Sequence, residues 1–482
     1  MRRLLPLAAL LLLVGPAPTA RSAGPQMAFG AAEDSVRQSD PALARERMEQ
    51  LAAAGMRAVR ITSSWLPPAV APSAGELAVL ANVVDAAKRY GVEVYLSVYQ
   101  PGSRTTPLTA EAQTQFAQYA AALVRALPAI RNVIVGNEPN LNRFWLPQFN
   151  PDGSDAAAPA YVSLLARTYD AIKAVDRGVT VYGGALAPRG VDKPNTGRDT
   201  HSPTAFIRDM GAAYRASGRQ APIMDGFAFH PYGEGSSIPP DFPHPSSTSI
   251  GLADYDKLVG LLGEAFDGTA QPGSELPILY DEYGVETTVP QGKASLYTGA
   301  EPSTTHPVDE TTQAAYYLKA LSMAFCQPNV VGILLFHSHD ETSLPSWQSG
   351  VYYADGTLKS SFWLVRWALE RARAGSIAHC DGMALSVAPS LLRFPKAPAL
   401  SSGNASVVVG CPLDCVATLS LTRGDGRVVW RQSVYVLAGT RFAYPIGALR
   451  LAPGRYAFSA SVAHPVNPGA PTVRRGGTFV LR

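Results

Sequence analysis

Charge is scarce in this chain. Only 16% of its 482 residues are Asp, Glu, Lys or Arg, and 41 basic against 38 acidic residues leave a formal net charge of +3. So small and dispersed an excess offers no stripe to neutralise phosphates, which excludes nucleic acid as the expected partner. Cysteine is sparse as well, with four residues, and the stretch CPLDC at 411–415 lacks the second ligand pair of a structural zinc site. No apolar run reaches the roughly 20 residues needed to cross a bilayer as a helix, so no membrane span is expected in the mature chain. Repeats of 20 to 50 residues are missing, and the 40 Pro and 42 Gly follow no collagen-like period. What is plentiful is hydrophobic side chains, 46% of the total. That is enough for a large buried core, either in two to four domains of roughly 100 to 200 residues or in one barrel with an attachment.

At the N-terminus Arg2 and Arg3 precede an apolar run at 4–14 and a small-residue stretch at 15–23. This is the order of a secretory signal, and it predicts a segment 1–26 removed on export to a secreted or periplasmic location. Disulfides persist there, and the expected pairs are Cys411 with Cys415 and Cys326 with Cys380.

From 27 to about 335, short β-rich apolar runs alternate with helix-like stretches. Strands are expected at 27–31, 57–63, 92–99, 132–138, 179–186, 225–232, 277–284 and 331–338. Amphipathic segments lie between them at 41–54, 76–90, 111–127, 161–175, 204–214 and 311–325, with a closing helix at 360–374. Alternation of this kind implies parallel strands joined by crossover helices. Eight such units predict an α/β fold, a closed (β/α)8 barrel over 27–380, and no Gly-rich phosphate turn follows the first strand. After Cys380 the texture becomes short strands separated by turns such as SSGN, RGDG and APGR. That pattern predicts a small all-β sandwich over 381–482. It holds no paired acids, and only Trp430 offers an indole platform, so a bracing role is expected.

In such a barrel the chemistry sits at the carboxyl ends of the strands. The fourth strand runs NVIVG and then presents Asn137, Glu138, Pro139 and Asn140, while the seventh runs PILY and then presents Asp281 and Glu282. Strands four and seven face each other across the barrel, so the two glutamates are expected to meet over a substrate-sized gap. A separation of about 5 to 5.5 Å lets one carboxylate attack an anomeric carbon while the other protonates the leaving oxygen, and roughly 6.5 to 9.5 Å leaves room for a water.

GNEPN and DEYG resemble the acid/base and nucleophile motifs of the clan A glycoside hydrolases, and the resemblance covers about residues 27–380. It implies a retaining hydrolase of O-glycosidic, β-linked bonds, with Glu138 as acid/base and Glu282 as nucleophile. It further implies Asn137 on the sugar 2-hydroxyl, Arg60 supporting the nucleophile, and His230 with Tyr232 as the strand-six pair. The third strand ends in Tyr99 and Gln100 where the clan often has a histidine. The eighth ends in Phe336, His337, Ser338 and His339 where it usually has a tryptophan. His337 or Trp347 is therefore expected to replace the missing platform, and Trp65 and Trp145, with Phe144, Tyr283 and Tyr297, are candidates for stacking on sugar. A carbohydrate partner, no cofactor, no metal and a monomer are expected.

Two other readings use the same residues. His230, His337, His339, Asp340 and Glu341 could assemble a metal-dependent hydrolase, although the first strand, ending in Phe29, Gly30 and Ala31, offers no ligand. A barrel that binds glycan without cleaving it is the other. Transglycosylation fits the same pair, since a sugar hydroxyl can replace water.

Overall fold

The computed structural model describes Gly24, residues 26–373, and beyond them the strands and short connections within 391–393, 406–410, 415–436, 441–445, 451–463 and 473–481. Eight parallel strands close into a barrel in sequence order: β1 (Ala28–Ala32), β2 (Ala58–Ser64), β3 (Glu93–Tyr99), β4 (Asn132–Val135), β5 (Thr180–Leu186), β6 (Gly226–Phe229), β7 (Ile278–Tyr283) and β8 (Val330–Phe336). Closure comes from β1 pairing with both neighbours, Ala31 opposite Val59 and Leu335.

Among the described residues eight α-helices ring the barrel: α1 (Pro41–Ala53), α2 (Ala74–Tyr90), α3 (Ala110–Ala126), α4 (Ala157–Val175), α5 (Pro203–Ala216), α6 (Tyr255–Phe266), α7 (Glu310–Cys326) and α8 (Phe362–Arg373). Most start where a short polar side chain can take up a free amide. Asp40, Ser73, Thr109, Ser202 and Asp309 each accept such a hydrogen bond at the heads of α1, α2, α3, α5 and α7. The helix α6 has no counterpart among the expected segments; ten of its twelve residues are buried, and Gly260 and Gly263, poor helix formers, fall inside it.

Two apolar layers hold the barrel. Tyr95, Ile134, Tyr182, Leu279 and Leu334 fill its interior, while a larger layer including Val59, Phe116, Leu164, Phe206, Leu262 and Val365 lies between strands and helices. The first strand reaches one residue further than its apolar run implies, because Ala32 still pairs with Arg60 and Phe336. Glu33 and Asp34 therefore stand at the rim, which corrects the expectation that strand one ends without a ligand.

Beyond residue 390 the described strands form two antiparallel sheets. One has three strands, β9 (Leu391–Arg393), β10 (Ser406–Gly410) and β13 (Arg441–Pro445). The other has four, β11 (Cys415–Arg423), β12 (Val428–Val436), β14 (Gly454–Ala463) and β15 (Val473–Leu481). Ala417, Leu419 and Leu421 on β11 and Tyr456, Phe458, Ala460 and Val462 on β14 are buried at every second position, so one face of this sheet is covered. Residues 1–23 and 25 of the expected signal segment, the boundary at 380, and Cys380 and Cys411 lie outside the described residues. Among the described residues no helix is long and apolar enough to cross a membrane.

Packing at β1 leaves no room for a side chain at Gly30. A Cβ there would sit 1.8 Å from the Ala58 carbonyl oxygen on β2. Gly30→Ala is expected to cost about 3 kcal/mol or more, read as a lower urea midpoint at unchanged slope; an unchanged midpoint would contradict this packing.

Candidate active site

Asn137 and Glu138 after β4 and Glu282 on β7 converge on one cleft of about 890 Å³, with Asp281 and Asn140 buried behind it. Its walls include Arg60, Asn137, Glu138, Tyr232, Glu282, Phe336, His337 and Trp347. The segment carrying Glu138 is built by a sharp reversal after β4. Gly136 adopts φ +89°, where a Cβ would press to 2.9 Å on Tyr161, and Glu138 itself has φ +42°. Left-handed backbone at a non-glycine residue costs on the order of 1–3 kcal/mol. It is held by the Glu138 amide donating to Ala185 O at 2.8 Å, and by Asn140, whose side chain bonds Ala187 N and O and His201 O.

Glu282 is the most constrained group in the cleft. Arg60 Nη1 donates to its Oε1 and Tyr232 Oη donates to its Oε2 at 3.0 Å. The other arm of Arg60 donates to Asn137 Oδ1 at 2.8 Å and Ser97 Oγ at 3.2 Å, and Arg60 Nε stands 3.4 Å from Asp281. His230, fully buried, places Nδ1 3.0 Å from Glu138 Oε1 and 3.4 Å from Glu282 Oε2, with Nε2 3.4 Å from Asp281 Oδ1. Burial would raise the Glu282 carboxyl, but the charges of His230 and Arg60 and the bonds from Arg60 and Tyr232 outweigh it and hold the group below its ordinary value. Burial likewise opposes charge on His230, yet Glu282 and Asp281 push it up to about 10.

Glu138 contrasts with its partner. Among the described residues its one side-chain hydrogen bond is to His230, and 16% of its side chain stays open to the cleft. The nearest carboxylate oxygens of Glu138 and Glu282, with a ring nitrogen of His230, lie within 4.8 Å of one another. Such a trio could ligate a cation, but both oxygens of Glu282 are already taken by Arg60 and Tyr232.

The aromatic expectations divide. Trp347 lies against Tyr232 and Phe336, with ring centroids 5.0 and 5.2 Å away, and the three rings form one wall beside Glu282. Phe144 and Tyr99 meet edge-on across the cleft, and Gln100 fixes that loop by donating to Phe144 O at 2.6 Å. Trp65 and Trp145 are not available to a sugar, which corrects their assignment. Trp65 is fully buried edge-on to Phe116, its Nε1 satisfied by Ala69 O at 2.8 Å. Trp145 is 1% exposed and packs edge-on to Tyr161. Tyr283 and Tyr297 are buried too, Tyr297 donating to Asp340.

The metal-hydrolase set does not assemble. His337 Nδ1 bonds Ala32 O at 2.6 Å, His339 stacks on Tyr352 and bonds Ser338 and Gln50, and Asp340 pairs with buried Lys359 at 2.7 Å. None of them joins His230. Two residues that the strand-end argument does not reach, Glu33 and Glu286, also matter, as does Asp281 beside Glu282. Glu33 accepts from Ser338 N and Oγ and from His339 N, pinning the chain after β8. Burial opposes its charge, but His337, His339 and the serine bonds bring its carboxyl down to about 2. Asp281 balances Arg60 and His230 from behind. Glu286 lines the cleft with its carboxyl pushed up to about 8, by burial and then by Glu301.

No family model and no curated relative matches this chain. Among solved structures it is similar to a β-glucuronidase from Bacteroides uniformis covalently bound to cyclophellitol-6-carboxylate aziridine, at 13% identity over 95% of this chain, TM-score 0.46. The chain spans only 46% of that protein. It is also similar to GH5_18 proteins. One from Streptomyces cattleya in complex with GlcNAc is 18% identical over 73% of this chain and 81% of its own, TM-score 0.48. One from Bifidobacterium longum subsp. infantis is 16% identical over 72% and 79%, TM-score 0.47.

Because the folded His230 binds its proton more tightly than a free imidazole, its stabilising contribution is complete below the unfolded value near 6.5 and fades as pH rises through about 10. The His230 ring is expected to show no titration by NMR between about pH 6 and about pH 9. A midpoint near 6.5 would contradict the charge balance described.

Proposed function

We propose that this protein is an exported, retaining glycoside hydrolase acting on β-linked carbohydrate by double displacement. The observation that carries the reading is the approach of the Glu138 and Glu282 carboxylates to within 4.8 Å at their nearest oxygens. That spacing belongs with direct attack by a carboxylate rather than with a gap holding water.

The chemistry follows from the unequal surroundings of the two acids. Glu282, kept ionised by Arg60, His230 and Tyr232, attacks the anomeric carbon. Glu138, with one polar partner and access to the cleft, gives a proton to the leaving oxygen. After glycosylation Glu138 takes a proton from the attacking water, which breaks the bond between the sugar and Glu282. Asn137, whose Oδ1 accepts from Arg60, holds the 2-hydroxyl through its amide nitrogen in this reading. The wall of Tyr232, Phe336 and Trp347 supports stacking on the apolar face of a sugar. Both carboxylates come from one chain, so a monomer suffices, and no cofactor enters any step. The N-terminal apolar run supports export, and the cysteine pairs proposed above fit that compartment.

The test is hydrolysis of a panel of aryl glycosides and β-linked polysaccharides by the mature protein and two variants. Glu138→Ala is expected to lose about 10²- to 10⁴-fold in turnover. Glu282→Ala is expected to lose all measurable turnover, with azide restoring product formation from an activated substrate. Most activity surviving in either variant would remove the assignment. Trp347→Ala should weaken kcat/KM by about tenfold, or about 1.4 kcal/mol, through the loss of apolar contact with the sugar; an unchanged value would take the wall out of the sugar site.

A further inference from the structure

A second group of ionisable side chains meets away from the cleft. Asp155 ends the long loop after β4, His201 precedes α5, and Asp209 lies within α5. One donor atom of each lies within 4.8 Å of the other two. Asp155 is the effective cap of α4: its Oδ1 accepts from Ala157 N at 2.7 Å and Ala158 N at 2.9 Å, and stands 3.4 Å from His201 Nε2. Its Oδ2 is buried and has no hydrogen-bond partner, in a side chain only 6% exposed. A buried oxygen left without a donor is unfavourable, and the Asp209 carboxylate nearby makes it more so. Burial first, then Asp209, drives the Asp155 carboxyl up to about 6 despite His201. The imidazole is fixed in place: Nε2 donates its proton to Gln148 O at 2.9 Å, which leaves the lone pair on Nδ1, and the ring lies between Phe149 and Phe206. A groove along α4 and α5, lined by Ser154, Asp155 and Asp209, gives access from solvent.

We propose that Asp155, His201 and Asp209 bind one divalent transition-metal ion in a structural role. The capped oxygen of Asp155 is committed to α4, which leaves Oδ2 for the ion, and Asp209 supplies the second charge. An imidazole with two carboxylates suits Zn²⁺ or Mn²⁺. Ca²⁺ is not favoured, because it takes six to eight oxygen ligands. The ion would join the loops after β4 and β5 to the reacting segment. His201 N donates to Asn140 O at 2.9 Å and Asn140 Nδ2 donates to His201 O at 3.0 Å, two residues beyond Glu138. The proposal does not depend on the glycosidase reading.

The experiment is calorimetric titration of the full mature chain, stripped with a chelator, with ZnCl₂, MnCl₂ and CaCl₂ in turn. One Zn²⁺ or Mn²⁺ per chain is expected to bind. Asp209→Asn should weaken that binding about tenfold or more, whereas Glu282→Gln, which disturbs the other His and carboxylate trio, should leave it unchanged. Asp209 sits on the surface of α5 and makes no cap, so its variant is expected to fold, as circular dichroism would show. Absence of binding, preference for Ca²⁺, binding retained in Asp209→Asn, or binding lost in Glu282→Gln would each overturn the proposal. No metal binding together with a melting temperature that rises as pH falls from 7.5 to 5.5 would assign the site to a proton shared by Asp155 and Asp209 instead.

Discussion

The buried guanidinium of Arg60 is the interaction on which the site depends. It projects from β2 and touches groups presented by β3, β4 and β7: Ser97, Asn137, Asp281 and Glu282. A planar cation with donors on several sides can do this where a lysine ammonium could not. Arg60 alone cannot neutralise both Asp281 and Glu282, and buried His230 supplies the second positive charge from β6. Removing one member of such a buried cluster leaves an uncompensated charge, which costs about 3–5 kcal/mol. The geometry of the cleft and part of the barrel's stability therefore rest on the same charges.

Around that fixed centre the rim is arranged by less costly means. Glu33 anchors the chain leaving β8 through Ser338 and His339, and the pair of Lys359 with Asp340 supports the loop bearing Trp347. The backbone at Glu138 is held in a left-handed conformation by its contact with Ala185, which has φ +49° itself. Left-handed backbone at both Glu138 and Ala185, joined by a hydrogen bond, fixes the segment that carries the Glu138 carboxylate at the cleft.

Much of this was legible before any coordinates. The eight strands and the pair Glu138 and Glu282 show in the sequence because an apolar run that stops abruptly at an acid marks a strand end in a barrel. The helix α6 was not legible because Gly260 and Gly263 interrupt its apolar residues and read as loop. Trp65 and Trp145 misled for a different reason. Position just past a strand end does not say whether an indole faces the cleft or turns back onto helix residues such as Phe116 and Tyr161. Glu33 was missed by one residue of strand length. The partnership of Asp155 with His201 and Asp209 joins loops far apart in the chain, and nothing in their spacing signals it.

The central claim is that Glu282 attacks carbon directly across a short gap. The most direct measurement is the anomeric configuration of the first product released from a β-glycoside, followed by ¹H NMR before mutarotation. The account predicts the β anomer, appearing first and then equilibrating. Initial release of the α anomer would mean that water attacks instead, and would contradict the reading of the Glu138 and Glu282 spacing.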